Sequence, residues 1–148
     1  MEKSLQGIYN TCMRTVNPQT LVADLTRKTD RIWDALCEIR PKLVRFNPPK
    51  IQLNNRLWRC AGMAYQDQNI VHLATKFFLF SAQYANEMES TILPHEIIHQ
   101  ADFNLYGLSE KICGHGVNWQ TLMVEYGLPA KKYHHMVIPQ SFHLKKVK

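Results

Sequence analysis

The chain has 148 residues, a formal net charge of +6, 45% hydrophobic residues and 20% charged residues. That length suits one domain able to bury a core, and the composition excludes a disordered or fibrous chain. No run approaches the roughly 18 apolar residues of a membrane span, and the opening Met1-Glu2-Lys3-Ser4-Leu5-Gln6-Gly7 lacks the apolar centre of a signal peptide; a cytoplasmic location away from membranes is expected.

Leu5, Ile8, Tyr9, Cys12, Met13 and Val16 recur at helical spacing and predict an amphipathic helix over 3–16. Leu21, Leu25, Ile32, Leu36 and Ile39 predict a second over 19–39, stopped by Pro41. Asn47-Pro48-Pro49 breaks the chain. Ile51 to Leu53 is a short strand candidate. Ala61–Tyr65 and Ile70–Leu73 flank the polar turn Gln66-Asp67-Gln68-Asn69 and predict a hairpin. Its edge is a candidate site for an extended substrate to add as a strand; a merely structural strand reads equally well.

Residues 75–88 return to helical spacing, with a break near Ser81. The next helix is expected to be capped by Ser90 or Thr91, to carry Pro94 in its first turn and to end at Gly107. A loop through Gly114-His115-Gly116 leads into a helix from about Val117 to Tyr126, closed by Gly127 with Pro129 beyond. Trp119, Leu122, Met123 and Tyr126 on it read as core. This order predicts an α+β fold, with helices around a short antiparallel or mixed sheet. Residues 1–135 are taken as the domain and 136–148 as a basic tail.

Cys12, Cys37, Cys60 and Cys113 form no C-x-x-C pair and are expected to be reduced, buried small hydrophobes. Charge is segregated. Residues 1–59 carry eleven basic and five acidic side chains, net +6; residues 60–130 carry two and seven, net −5; residues 131–148 carry five lysines and no acid, net +5. Arg40, Lys42, Arg45, Lys50, Arg56 and Arg59 fall in a stretch with no carboxylate and are candidate nucleic-acid contacts. Charge alone supports a solvated basic surface just as well.

The chemistry centres on His95-Glu96-Ile97-Ile98-His99. Two histidines four apart share one helix face, where their imidazoles can hold one Zn²⁺. Glu96 between them can act on a water at the metal rather than bind the metal itself. Catalytic zinc usually has three protein ligands, so a third is expected from elsewhere. His115 is the best candidate, because the glycines on both sides let the backbone turn close to the metal. His72, His134, His135 and His143, or a carboxylate from Glu110 or Glu125, are weaker ones. Asp102, three residues after His99, is a candidate to orient a ligand imidazole, though a solvated or capping role fits it better. Tyr65, Tyr106, Tyr126 and Tyr133 are candidate donors to an oxyanion.

The segments Asn55 to Tyr65, Asn69 to Leu73, Pro94-His95-Glu96-Ile97-Ile98-His99 and Gly114-His115-Gly116-Val117-Asn118-Trp119 also resemble the SprT-like family of zinc metallopeptidases, to which bacterial SprT proteins and the Spartan protease core belong. The resemblance spans roughly residues 1–135. It implies a small zincin-like domain holding one zinc ion on His95, His99 and His115, with Glu96 as the catalytic carboxylate. It further implies a metalloendopeptidase that cuts proteins bound or crosslinked to DNA, with protein substrates, DNA as a partner and a nucleoid association. Bacterial members usually add a C-terminal zinc ribbon with paired cysteines, whereas no cysteine follows Cys113 here. The basic stretch and the lysine-rich tail are candidate substitutes. A zinc-dependent hydrolase acting on nucleic acid and a non-catalytic zinc or DNA-binding module are the alternatives.

Overall fold

A computed structural model describes residues 15–57, 59–107 and 114–139. The helix expected over 3–16 lies almost wholly outside them. Helix α1 runs Pro18–Ile39. Asn17 starts it: its Oδ1 accepts the Thr20 N–H at 3.0 Å, and Pro18 occupies the first turn, where no donor is needed. Arg40 turns extended ahead of Pro41, which ends it. Leu25, Ile32, Trp33 and Leu36 form its buried stripe, with Leu25 and Leu36 wholly enclosed. Truncating either leucine to alanine would cost about 2–5 kcal/mol.

A 3₁₀ turn at Pro41–Arg45 leads to strand β1, Lys50–Asn54. Strands β2, Gly62–Tyr65, and β3, Ile70–Ala74, form the expected hairpin. Its turn includes Asn69 at φ 56°, a left-handed conformation that asparagine tolerates. The sheet is mixed and ordered β1-β3-β2: β1 pairs parallel with β3, and β2 pairs antiparallel on the other side. This leaves β2 at an edge.

Short helices α2, Thr75–Phe80, and α3, Ala82–Glu87, follow, broken at Ser81. Ser81 is extended, and its Oγ accepts the Tyr84 N–H, so one residue ends one helix and caps the next. Helix α4 spans Leu93–Tyr106 and α5 spans Val117–Tyr126. The caps expected at Ser90 and Thr91 do not form. Met88–Ile92 is instead a π-helical turn continuous with α4, and Ser90 Oγ donates back to the Asn86 carbonyl. The N–H groups that a cap would satisfy already find carbonyls in this turn, Leu93 N–H reaching Met88 O. The C-terminal stops match expectation: Gly107 and Gly127 take φ 77° and 110°, which favour glycine.

Helix α4 is buried almost all round, from Leu93 and Pro94 through Glu96 to Asp102. Such a helix lies at the centre of the domain, and α4 packs against α1, β2, β3 and α5. The hairpin turn is tied to it as well. Gln66 Nε2 donates to the His99 carbonyl at 2.7 Å, and Gln100 Nε2 donates to the Gln66 carbonyl at 3.0 Å. After α5 the chain returns to the body without regular structure. Met136, one residue past the expected domain boundary, is 8% exposed and belongs to the core. Among the described residues no helix is long and apolar enough to cross a membrane. Cys37 and Cys60 are free but only half-buried, a departure from the fully buried cysteines expected; Cys12 and Cys113 lie outside the described residues.

Candidate metal centre and active site

The rigidity of α4 decides the site. His95 and His99 stand one turn apart on it, and the short segment before α5 brings in His115. The three Nε2 atoms form a nearly equilateral triangle: His95–His99 3.2 Å, His99–His115 3.1 Å, His95–His115 3.2 Å. A tetrahedral ion with bonds of ~2.0–2.1 Å sets its ligand nitrogens about 3.3 Å apart, so the triangle fits a divalent metal. Three nitrogens in mutual contact cannot all be satisfied by one another's protons. Among the described residues these three form a group able to hold a metal ion.

The rings are prepared for that role. Burial, then the neighbouring imidazoles His115 and His134, push His95 down to about 4. Burial, then His95 and His115, push His99 down to about 3. Burial and Lys132 lower His115. All three are therefore neutral near pH 7, with lone pairs free for a metal. His99 is also hydrogen-bonded to the backbone of Gly114. A Cβ on Gly114 would stand 3.1 Å from His99 Nδ1, and Gly114 takes φ 65°. Backbone contact on the Nδ1 side leaves Nε2 for the metal, and only glycine allows so close an approach.

Trp119 is the unforeseen member. Expected as core, it is fully buried, and its ring also packs against all three imidazoles, at 4.7 Å from His95, 5.1 Å from His99 and 4.6 Å from His115. Its Nε1 donates a long 3.4 Å hydrogen bond to the His95 carbonyl. The sequence offered only its nearness to His115, four residues earlier in the chain.

Glu96 lies on the inner side of α4, 7% exposed, with Oε1 3.8 Å from His95 Nε2. Burial pushes its carboxyl up to about 8. Gly62 of the edge strand lies against it: a Cβ there would meet Glu96 Cγ at 2.8 Å. Glu96, the three histidines and Gly62 border one cavity of about 750 Å³, closed on other sides by residues from α3 and from the segment after α5.

The remaining candidates fall elsewhere. Asp102 is 8% exposed, raised by burial to about 6, and no hydrogen bond among the described residues joins it to the imidazoles. His72 lies on β3 between Asn54 and Gln52, with its nitrogens 3.0 and 3.1 Å from their side-chain amides. Glu125 makes a two-point ion pair with Arg40, at 2.7 and 2.8 Å. Glu110 and His143 lie outside the described residues. Of the six basic candidates, Arg40 is held by that pair, whereas Lys42, Arg45, Lys50, Arg56 and Arg59 are exposed, and Arg59 borders the cavity.

No solved structure matches the chain. A family model, that of the SprT-like family, matches residues 35–135, a span that holds the sheet, α4, all three histidines and α5. The chain belongs to the SprT-like family.

Proposed function

We propose that this protein is a zinc-dependent endopeptidase, with His95, His99 and His115 holding one zinc ion and Glu96 as general base. The observation that carries the reading is the equilateral Nε2 triangle with a buried carboxylate 3.8 Å from one corner. A purely structural metal site has no use for that carboxylate. Family membership supports the same reading.

A bound Zn²⁺ supplies Lewis acidity that polarises a peptide carbonyl and acidifies water, and positive charge that draws the Glu96 carboxyl down from its raised value. Glu96 accepts the proton of the attacking water and passes it to the leaving amine. Its burial keeps competing solvent off the carboxylate, and Gly62 sets how far the side chain reaches. The imidazoles stay neutral, all three packed against Trp119, with His99 held on its other side by the Gly114 backbone.

Proteins bound to DNA are the proposed substrates, supported by the five exposed basic residues between 42 and 59 and by the lysines of the C-terminal stretch. The test is cleavage of a DNA-binding protein, with and without DNA, by the wild-type chain and by Glu96→Gln. Cleavage by the wild type that Glu96→Gln loses supports the reading. Nuclease activity lost in the same variant would select the nucleic-acid hydrolase instead.

A further inference from the structure

The cavity that holds the three imidazoles is closed on one side by Pro129 and residues 131–136, which no step above uses. This segment is fixed in place. The Tyr84 hydroxyl donates to the Val137 carbonyl at 2.8 Å and accepts the Val137 N–H at 2.9 Å. Met136 is buried in the core. Just before these anchors, His134 sets its ring edge-on against Phe77, centroids 5.3 Å apart, and borders the cavity.

The hydrogen bonding of His134 determines its tautomer. Its Nδ1 accepts the Met136 N–H at 3.1 Å, so a neutral ring carries its proton on Nε2. Among the described residues that Nε2–H has no acceptor. Burial, with His135 and Lys76 nearby, favours the neutral ring over the opposing pull of Glu87. The result is a preoriented N–H donor on the wall of the metal cavity.

Peptide hydrolysis needs such a donor, because negative charge gathers on the former carbonyl oxygen when water adds. The tyrosines are poorly suited. Tyr65 is edge-on to His72, Tyr106 meets Arg40 and Tyr126 faces a different pocket; Tyr133 borders the cavity but is 82% exposed, with no hydrogen bond among the described residues to hold its hydroxyl in place. We propose that His134 donates its Nε2–H to the carbonyl oxygen of the scissile peptide as charge develops there. It keeps its proton throughout; water's proton travels by Glu96, the new C–O bond forms and the C–N bond breaks. The proposal rests on the peptidase reading above.

The test uses the zinc-loaded full chain with His134→Phe, which keeps the ring against Phe77 but has no donor, and His134→Gln, which keeps an N–H. With a protein substrate, kcat of His134→Phe is expected to fall about 100-fold while KM and zinc content hold, and His134→Gln is expected to retain more activity. Affinity for a phosphinic peptide, a stable mimic of the tetrahedral oxyanion, is expected to fall by a similar factor in His134→Phe. Unchanged kcat, a loss confined to KM, or a loss of zinc would each overturn the role of His134. If the wild type cuts nothing, the peptidase reading fails, and the phosphinic peptide still decides the donor: equal affinity in wild type and His134→Phe overturns it.

Discussion

Gly62 backs the side chain of Glu96 so closely that a Cβ on it would stand 2.8 Å from Glu96 Cγ. The edge strand and α4 are thus in direct contact at the residue proposed to move protons. Gly62→Ala must displace Glu96, since the His72 carbonyl and Leu73, each 3.2 Å from that Cβ, block the other escape. The stability cost is about 1–3 kcal/mol. The expected signature is a fall in kcat of about 10–100-fold with zinc affinity preserved, as a 1 Å misplacement of a catalytic group costs on that order. Steady-state kinetics beside a zinc titration would check it.

Gly114→Ala should fail in the complementary way. It forces a side chain onto a backbone at φ 65° and into the His99 ring. Loss of a ligand's backbone support typically costs 10–100-fold in metal affinity, so roughly that factor is expected here. Competition against a chromogenic chelator measures it, and wild-type affinity in the variant would show that Gly114 does not position His99.

Asp102 makes stability pH-dependent. Burial raises its carboxyl from 3.8 to about 6, so the folded state takes up a proton that the unfolded chain has lost. Its ionisation therefore penalises folding, by little below pH 4 and by nearly the full amount above pH 6. Asp102→Asn removes the penalty: only a small gain is expected at pH 4, a rising gain between 4 and 6, and a plateau near neutrality. About two pH units at 1.36 kcal/mol each put the ceiling near 3 kcal/mol. Urea unfolding of wild type and variant at pH 4, 5.5 and 7 checks both sign and window.

The basic residues should separate in DNA binding. Arg40 is already paired with Glu125, whereas Lys50, Arg56 and Arg59 are exposed. Each alanine variant of the latter three is expected to weaken binding and to lower the salt slope by about 0.9 per lost phosphate contact. Arg40→Ala is expected to leave the slope unchanged. Affinity measured across a salt series distinguishes them, and equal effects from all four would contradict this division.

The local elements were legible because their signals are local. Pro41, Gly107 and Gly127 bound the helices near where punctuation places them, and the apolar period of α1 matches its buried stripe. The His95–Glu96–His99 spacing works because α4 is a helix throughout. What depends on distant pairing was less readable. Parallel pairing of β1 with β3 joins Lys50 to Ile70 across an intervening strand, and no short window encodes it. The absent cap at Ser90 reflects a π turn that supplies its own carbonyls. Trp119 looked like core because it is core, and its contact with three imidazoles arises only when α5 docks on α4. His134 read only as a weaker candidate for the third ligand for the same reason: its place on the cavity wall depends on the return of the chain past Tyr84.

Three imidazoles from two separate segments are proposed to hold one divalent ion. Elemental analysis of zinc in the purified protein, after exchange against a weak chelator, tests it most directly when run beside His95→Ala and His115→Ala. One ion per chain in the wild type, lost from both variants, is the predicted result. A wild-type chain without metal, or zinc retained in full by both variants, would contradict it.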